Sequence, residues 1–187
     1  MVTSLPNLLT ASRIVTIPLI VATFYVDGDG ARWLACFLFV AAAITDFFDG
    51  YVARRRNIVS SLGRFLDPIA DKLLVAAILL MLAAFERVSQ VSILPALVIL
   101  LREILVSGLR EFLAEVKVGM PVSRLAKWKT GIQMTALPTL LVGKAAPVWI
   151  PAQTLGEILL WGAAALTLIT GWDYLRASFN HLRGPAG

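Results

Sequence analysis

The segment from Asp46 to Lys72 reads DFFDGYVARRRNIVSSLGRFLDPIADK and carries four aspartates in two pairs. Asp46 and Asp49 follow the apolar run CFLFVAAAIT, and Asp67 and Asp71 precede the apolar run LLVAAILLMLAA. Carboxylates beside apolar runs of this length are costly unless they bind something, so they indicate a functional site. We therefore expect the rest of the chain to form a scaffold around this segment.

The composition of the 187-residue chain is that of a membrane protein. Hydrophobic residues make up 58% of it and charged residues only 16%, which is unlike a soluble domain. Its length predicts a single membrane domain over residues 1–187. The net charge of +5 could suggest nucleic acid, but no basic tract with interleaved aromatic residues is present. We therefore expect no nucleic-acid partner, and we see no signal-peptide pattern.

The apolar segments predict an all-α integral membrane protein with six transmembrane helices. Residues 4–26 are polar in their first half, so this N-terminal segment is expected to enter at the membrane interface and then to span. The link at Gly119 and Pro121 should break a helix, and the residue pair Asp67–Pro68 resembles a helix start. The remaining five spans are predicted at about residues 32–54, 65–84, 93–118, 124–142 and 154–174.

Basic residues are distributed unevenly between the connections, and this predicts the orientation of the chain. One side holds only Arg32, Arg87 and Lys144. The other side is expected to face the cytoplasm, with both termini and the aspartate segment, because it holds Arg54, Arg55, Arg56, Arg64, Lys117, Arg124, Lys127, Lys129, Arg176 and Arg183. The protein is thus predicted to lie in the cytoplasmic (inner) membrane as a multi-pass protein.

The spacing of the aspartates indicates a metal site. Asp46 and Asp49 are three residues apart and Asp67 and Asp71 four apart, so on helices each pair shares a face. Four carboxylates brought together would need cations, and oxygen ligands favour hard divalent metals, first Mg²⁺ and otherwise Mn²⁺. Two such cations can hold a phosphate from both sides. The alternative is that one or two of these residues cap helices or pair with an arginine.

The same segment resembles the CDP-alcohol phosphatidyltransferases, whose signature is D-x2-D-G-x2-A-R-x8-G-x3-D-x3-D. Every spacing of that signature is kept here, at Asp46, Asp49, Gly50, Ala53, Arg54, Gly63, Asp67 and Asp71. The resemblance implies transfer of a substituted phosphate from a CDP-linked donor to an alcohol, with release of CMP. It also implies two metals on the four aspartates, with Asp71 as the base.

The resemblance further implies where the donor binds. Gly50, Ala53 and Gly63 would let the nucleotide approach the backbone, and Arg54 would hold donor phosphate. Asn7 and Thr10, three residues apart in the first segment, are also expected at the donor site. The donor implied is CDP-diacylglycerol, which lies among the membrane lipids. The family resemblance also suggests a homodimer.

Three stretches, LPNLLTASR, LREILVSGLREF and RLAKWKTGIQ, resemble the branch of the family that accepts glycerol 3-phosphate. Glu103, Ser107 and Arg110 recur at helical spacing and should share one face. The acceptor phosphate should bind to several cations, for which the candidates are Arg110, Lys127, Lys129 and Arg102. The expected products are phosphatidylglycerophosphate and CMP.

Two other functions are consistent with parts of the sequence. A sister enzyme with the same signature could use another acceptor: phosphatidylglycerol for a cardiolipin synthase, or an inositol phosphate. A transporter or ion channel could also place aspartates in a membrane. A transporter, however, would spread acidic residues through the depth of several spans, whereas these four cluster at one edge.

Overall fold

A computed structural model of the chain describes the backbone of residues 5–56, 61–115 and 124–182. Side chains are described for residues 12–45, 66, 68–114, 124–172 and 174–176. The described backbone is helical throughout apart from short turns, and it contains no strand. The prediction of an all-α protein is therefore confirmed for these ranges, while the predicted break at Gly119 and Pro121 lies outside them.

The described ranges contain six α-helices, numbered here in chain order. Gly28, with φ of +110°, marks the turn before the second helix, and a 3₁₀ turn, Gln90–Ser92, precedes the fourth. A second 3₁₀ turn, Gly143–Ala145, follows the fifth. The helices are α1 (Leu5–Thr23), α2 (Asp29–Arg56), α3 (Ser61–Ala84), α4 (Ile93–Glu115), α5 (Arg124–Val142) and α6 (Ala152–Leu182).

The predicted helix bounds agree with the structure at α5 and differ at the ends of other helices. Residues 124–142 were predicted as the fifth span, and α5 has these bounds. The sixth span was predicted to end near Tyr174, but α6 continues to Leu182. No glycine or proline occurs between these two residues, so nothing in the local sequence ends the helix. The continuation adds about two turns to the predicted span.

The prediction for the start of α3 is wrong. The sequence predicted a polar connection up to Gly63 and a helix start near Phe65, with Asp67 as a possible cap. The helix instead begins at Ser61, a residue type favoured at helix starts, and it includes Pro68. Asp67 therefore lies in the second turn of the helix and cannot be its N-terminal cap.

The six helices close into a ring in which each helix packs on two neighbours. The order around the ring is α1, α2, α5, α6, α4 and α3, and the α5–α6 interface is the most extensive. Large apolar side chains fill the centre of the ring. Those with almost no exposed surface include Ile20, Phe39, Ile78, Leu82, Ile99, Leu137, Leu140, Leu141 and Leu160. The ring thus has a continuous apolar core.

The outer surface of the ring is also apolar. Many exposed large apolar side chains on several helices indicate contact with lipid or with another protein. Two described helical segments, Gln90–Ala114 and Ala152–Arg176, are long and apolar enough to cross a membrane, and Ser12–Thr23 is a shorter apolar one. Exposed large side chains occur on several helices and include Phe37, Leu80, Leu94, Ile104, Ile158 and Leu168.

Gly156 permits the close approach of α6 to α5. A Cβ atom at this position would lie 2.7 Å from Cγ of Leu140 and 3.2 Å from its backbone nitrogen. We therefore expect Gly156→Ala to lower the free energy of unfolding by about 1–3 kcal/mol, as overpacked interfaces do. Thermal denaturation in detergent measures the effect.

The matched control for this variant is Gly162→Ala on the same helix. A Cβ atom at position 162 would meet no atom within 4 Å. Because alanine also favours the helix, this control should keep or slightly raise the melting temperature. Equal melting temperatures for the two variants would contradict the close-packing role of Gly156.

Candidate active site

The four signature aspartates lie on two helices. Positions 46 and 49 fall in the second half of α2, and positions 67 and 71 fall in the first half of α3. Both pairs therefore lie on continuous helix, as the spacing argument requires. Of the four side chains, only that of Asp71 belongs to the described set, where it is partly buried and lines a cavity.

Two overlapping cavities open where α3, α4, α5 and α6 meet. Their volumes are about 320 Å³ and about 270 Å³. Volumes of this order are at the lower end of those found for small-molecule sites. Both cavities share the residues Pro68, Lys72, Arg102, Glu103, Val106 and Arg110. The smaller cavity adds Asp71, Ala126, Lys129, Thr130 and Tyr174, and the larger one adds Ser107, Glu111 and Ala114.

Lys129 is a buried cation in the smaller cavity. It is only 5% exposed, and its Nζ donates a hydrogen bond to Oε1 of Glu103. The same carboxylate oxygen lies 3.8 Å from Nη1 of Arg102. Glu103 therefore sits between two cations and holds both beside the cavity. A buried charge needs such a partner, because an uncompensated one is strongly destabilising.

Arg102 is held from the side of α6. Its Nη2 donates a hydrogen bond to Oγ1 of Thr170 at 3.1 Å, and its guanidinium carbon lies 5.5 Å from the centre of the Tyr174 ring. A Cβ atom at Gly171 would come within 3.2 Å of Cγ of Arg102, so glycine leaves room for the arginine stem. Arg102 is thus fixed between α4 and α6 at the wall of the cavity.

Lys72 is a cavity residue that the sequence argument did not select. It follows Asp71 directly, lines both cavities, and its Nζ donates a hydrogen bond to Oγ of Ser107. The predicted common face of Glu103, Ser107 and Arg110 is confirmed, because all three line the larger cavity. This polar face of α4 packs against α3, so it could have indicated that a polar residue of α3, such as Lys72, lies opposite it.

The structure separates the basic residues that the sequence grouped together. Arg102, Arg110 and Lys129 line the cavities, whereas Lys127 is exposed and lines neither of them. Two residues along an α-helix correspond to a rotation of about 200°, so Lys127 and Lys129 point to opposite sides of α5. The expected contribution of Lys127 to the phosphate pocket stays a prediction, and its position on α5 does not support it.

The predicted donor-site residues lie outside the described side chains. Asn7 and Thr10 belong to α1, and Gly50, Ala53 and Arg54 belong to α2. Gly63 belongs to the first turn of α3. Their backbone positions are described, but their contacts are not, so their roles stay predictions.

Most of the four aspartates predicted to hold metal lie outside the described side chains. Among the described side chains, no group of three or more His, Cys, Asp or Glu residues could hold a metal ion. Asp46, Asp49 and Asp67 are not in that set. The donor set of the four aspartates consists of carboxylate oxygens, which fits Mg²⁺ or Mn²⁺, and Asp71 lines the smaller cavity.

Comparison with known proteins gives one family. A sequence profile described as CDP-alcohol phosphatidyltransferase matches residues 3–169. A protein of Rickettsia bellii named CDP-diacylglycerol–glycerol-3-phosphate 3-phosphatidyltransferase is 55% identical over 93% of this chain and 94% of its own length. A protein of Cereibacter sphaeroides with the same name is 38% identical over 96% of this chain and 97% of its own.

A protein whose name states a different activity is also similar to this chain. A protein of Oryza sativa subsp. japonica named cardiolipin synthase (CMP-forming) is 39% identical over 92% of this chain, which covers 56% of that protein. The names of these similar proteins thus state two different activities.

Proposed function

Because the chain belongs to the CDP-alcohol phosphatidyltransferase family, we propose that it transfers the phosphatidyl group of CDP-diacylglycerol to sn-glycerol 3-phosphate. The products are phosphatidylglycerophosphate and CMP, so the enzyme acts in phospholipid biosynthesis. The observation that carries the proposal is the cavity where Asp71 meets Lys72, Arg102, Arg110 and Lys129. The names of the relatives that match over nearly the full chain support the same acceptor.

The proposed setting is the cytoplasmic (inner) membrane, with residues 1–187 as one domain and all six helices crossing it. The apolar outer surface of the ring supports this arrangement, and so does the uneven distribution of basic residues. The active site then faces the cytoplasm, where glycerol 3-phosphate and the CDP head group are accessible. A homodimer remains part of the proposal on the family resemblance.

Two divalent cations, Mg²⁺ or Mn²⁺, would be held by Asp46, Asp49, Asp67 and Asp71. When bound, they would supply positive charge beside the diphosphate of the donor, which stabilises charge that develops on the phosphate oxygens. The remaining donor contacts are assigned by the family signature. Asn7, Thr10, Gly50, Ala53 and Gly63 would line the nucleotide, and Arg54 would hold its phosphate.

The position of Asp71 supports a role as general base for the acceptor. It lines the cavity that also contains the cations proposed to bind the acceptor, so we expect a hydroxyl bound there to be within its reach. The carboxylate takes the proton of the terminal hydroxyl while the hydroxyl oxygen forms a bond to the phosphorus that carries the diacylglycerol. The bond between that phosphorus and the CMP oxygen breaks in the same displacement. No covalent intermediate is required.

The acceptor phosphate would bind to Lys129, Arg110 and Arg102. These residues come from two helices and present fixed donors to one cavity, which suits a dianion beside the anionic donor. Lys72 adds a fourth cation from α3, directly beside the proposed base. Lys127 is left out of this pocket because it faces away from it.

An acceptor assay tests the proposal. Purified protein with Mg²⁺ and CDP-diacylglycerol should release CMP when glycerol 3-phosphate is added. Glycerol, which lacks the phosphate, is the matched control and should give little CMP. Turnover with phosphatidylglycerol and none with glycerol 3-phosphate would make the chain a cardiolipin synthase, and turnover with inositol phosphate alone would make it the corresponding inositol enzyme.

A further inference from the structure

Two arginines lie at the end of the ring opposite the active site. Arg87 follows the end of α3 at Ala84, and Arg32 lies in the first turn of α2. The helix from Asp71 to Ala84 rises about 20 Å, so these arginines are remote from the proposed base. They take no part in the transfer reaction described above.

The side chain of Arg87 is buried and lies against an aromatic ring. It is only 8% exposed, and its guanidinium carbon lies 4.1 Å from the centre of the Phe24 ring. Its Nη1 is buried and donates no hydrogen bond to any described residue. Burial lowers the pKa of this guanidinium, and the neighbouring charge of Arg32 lowers that pKa further. The group nevertheless stays charged, since arginine is not deprotonated in proteins.

Arg32 is placed against the end of α5. Its Nη1 lies 3.2 Å from the position that a Cβ atom at Gly143 would occupy, and Gly143 has a φ of +47°. Trp33, the residue after Arg32, contributes a further contact, because its Nε1 donates a hydrogen bond to the carbonyl oxygen of Ala145 at 3.3 Å. The close approach of Arg32 therefore depends on a glycine that takes a left-handed conformation.

The two positive charges lack a compensating carboxylate in the described part of the chain. The acidic residues described at this end are Asp27, Asp29, Glu86 and Glu157. The first three are exposed, Glu157 accepts hydrogen bonds from Ser89 and Ser92, and no ion pair joins any of the four to either arginine. The contrast with the active-site end is clear, because there Glu103 compensates both Lys129 and Arg102. A buried guanidinium whose Nη1 has no hydrogen-bond partner, and which lies at the same end of the ring as a second arginine, favours binding of an anion from outside.

We propose that Arg32 and Arg87 form a binding site for a phosphate group, carried by a phospholipid head group at the membrane surface opposite the active site. Guanidinium groups bind phosphate oxygens through two parallel hydrogen bonds, so two arginines can hold the singly charged phosphodiester of a phospholipid between them. Exposed aromatic residues at this end, Tyr25, Trp33 and Trp149, fit the interfacial region where such head groups lie.

Native mass spectrometry of the full-length protein in mild detergent tests this site. Wild-type protein is titrated with phosphatidylglycerol, phosphatidylcholine and diacylglycerol. Both phospholipids should bind, while diacylglycerol, which lacks the phosphate, should not. Arg32→Gln and Arg87→Gln should each weaken phospholipid binding by about tenfold or more, because each removes charge-assisted hydrogen bonds. Arg87→Lys keeps the charge above Phe24 and should bind with intermediate strength.

Lys144→Gln is the matched control, because it removes one exposed positive charge at the same end of the ring. It should bind phospholipid as the wild type does. CMP release should be near the wild-type level in all of these variants, which shows that they fold and that the binding readout is independent of the transfer reaction.

Equilibrium dialysis with inorganic phosphate shows whether the site binds the phosphate of a lipid or a free phosphate ion. Binding of free phosphate without binding of phospholipid would assign the site to the soluble anion. Unchanged lipid binding in both arginine variants, or an equal loss in Lys144→Gln, would overturn the proposal.

Discussion

Asp71→Asn is expected to lower the rate of CMP release by about 10²-fold to 10⁴-fold, the range that a positioned general base contributes. Asparagine has nearly the same shape but does not accept the acceptor proton. Asp71 lies beside Lys72 at the wall of the cavity, so the loss should be chemical rather than structural. Single-turnover measurement with saturating glycerol 3-phosphate isolates this step.

Measuring CDP-diacylglycerol binding by the Asp71→Asn variant shows whether Asp71 acts as a general base or only as a metal ligand. With three aspartates left for metal, the variant should keep part of its metal-dependent donor binding while transfer is lost. Asp27→Asn is the control, since Asp27 is an exposed carboxylate in the turn before α2 and should be replaceable without effect. Near-normal CMP release by Asp71→Asn would remove this residue from the role of base.

Lys129→Gln is expected to raise the KM for glycerol 3-phosphate by about 10-fold to 100-fold, because hydrogen bonds to charged groups contribute about 1.5–3 kcal/mol. The change removes a cation from the cavity and leaves the Glu103 carboxylate facing the incoming phosphate. The KM for CDP-diacylglycerol should change much less. Initial rates of CMP release over a range of each substrate separate the two constants.

Lys127→Gln is the matched control for this prediction. It removes the same charge from the same helix two residues away, but from the exposed side. Its kinetics should resemble those of the wild type, and Lys129→Arg should recover part of the lost acceptor binding. If the substitutions at 127 and 129 had equal effects, the cavity would not be the acceptor site, and a general surface potential would explain both.

The number and type of the helices could be predicted from the sequence, while several of their ends could not. The bounds of α5 were predictable because Gly119 and Pro121 precede its start and Gly143 follows Val142 at its end. The start of α3 was missed because Pro68 was taken as a helix start, although Ser61 already begins the helix seven residues earlier. A proline in the second turn is tolerated when packing holds the helix, and sequence patterns do not report that packing.

The candidate site was predictable to the level of residue types and less so for individual side chains. The spacing of Glu103, Ser107 and Arg110 placed them on one face of α4, and they share a cavity. The choice between Lys127 and Lys129 depends on how α5 is rotated against α4 and α6, which only the packed structure determines. Lys72 and Tyr174 were missed for the same reason, because their importance arises from contacts between distant segments.

The carboxylate of Glu103 affects how an acceptor can reach the cations of the cavity. Since it already accepts a hydrogen bond from Lys129 and lies 3.8 Å from Arg102, an incoming acceptor has to compete with it for these cations. A doubly charged phosphate that meets several cations together can win that competition, whereas a neutral alcohol or water gains too little. If the acceptor phosphate binds these cations as proposed, we expect the internal ion pair to select against acceptors that lack a phosphate.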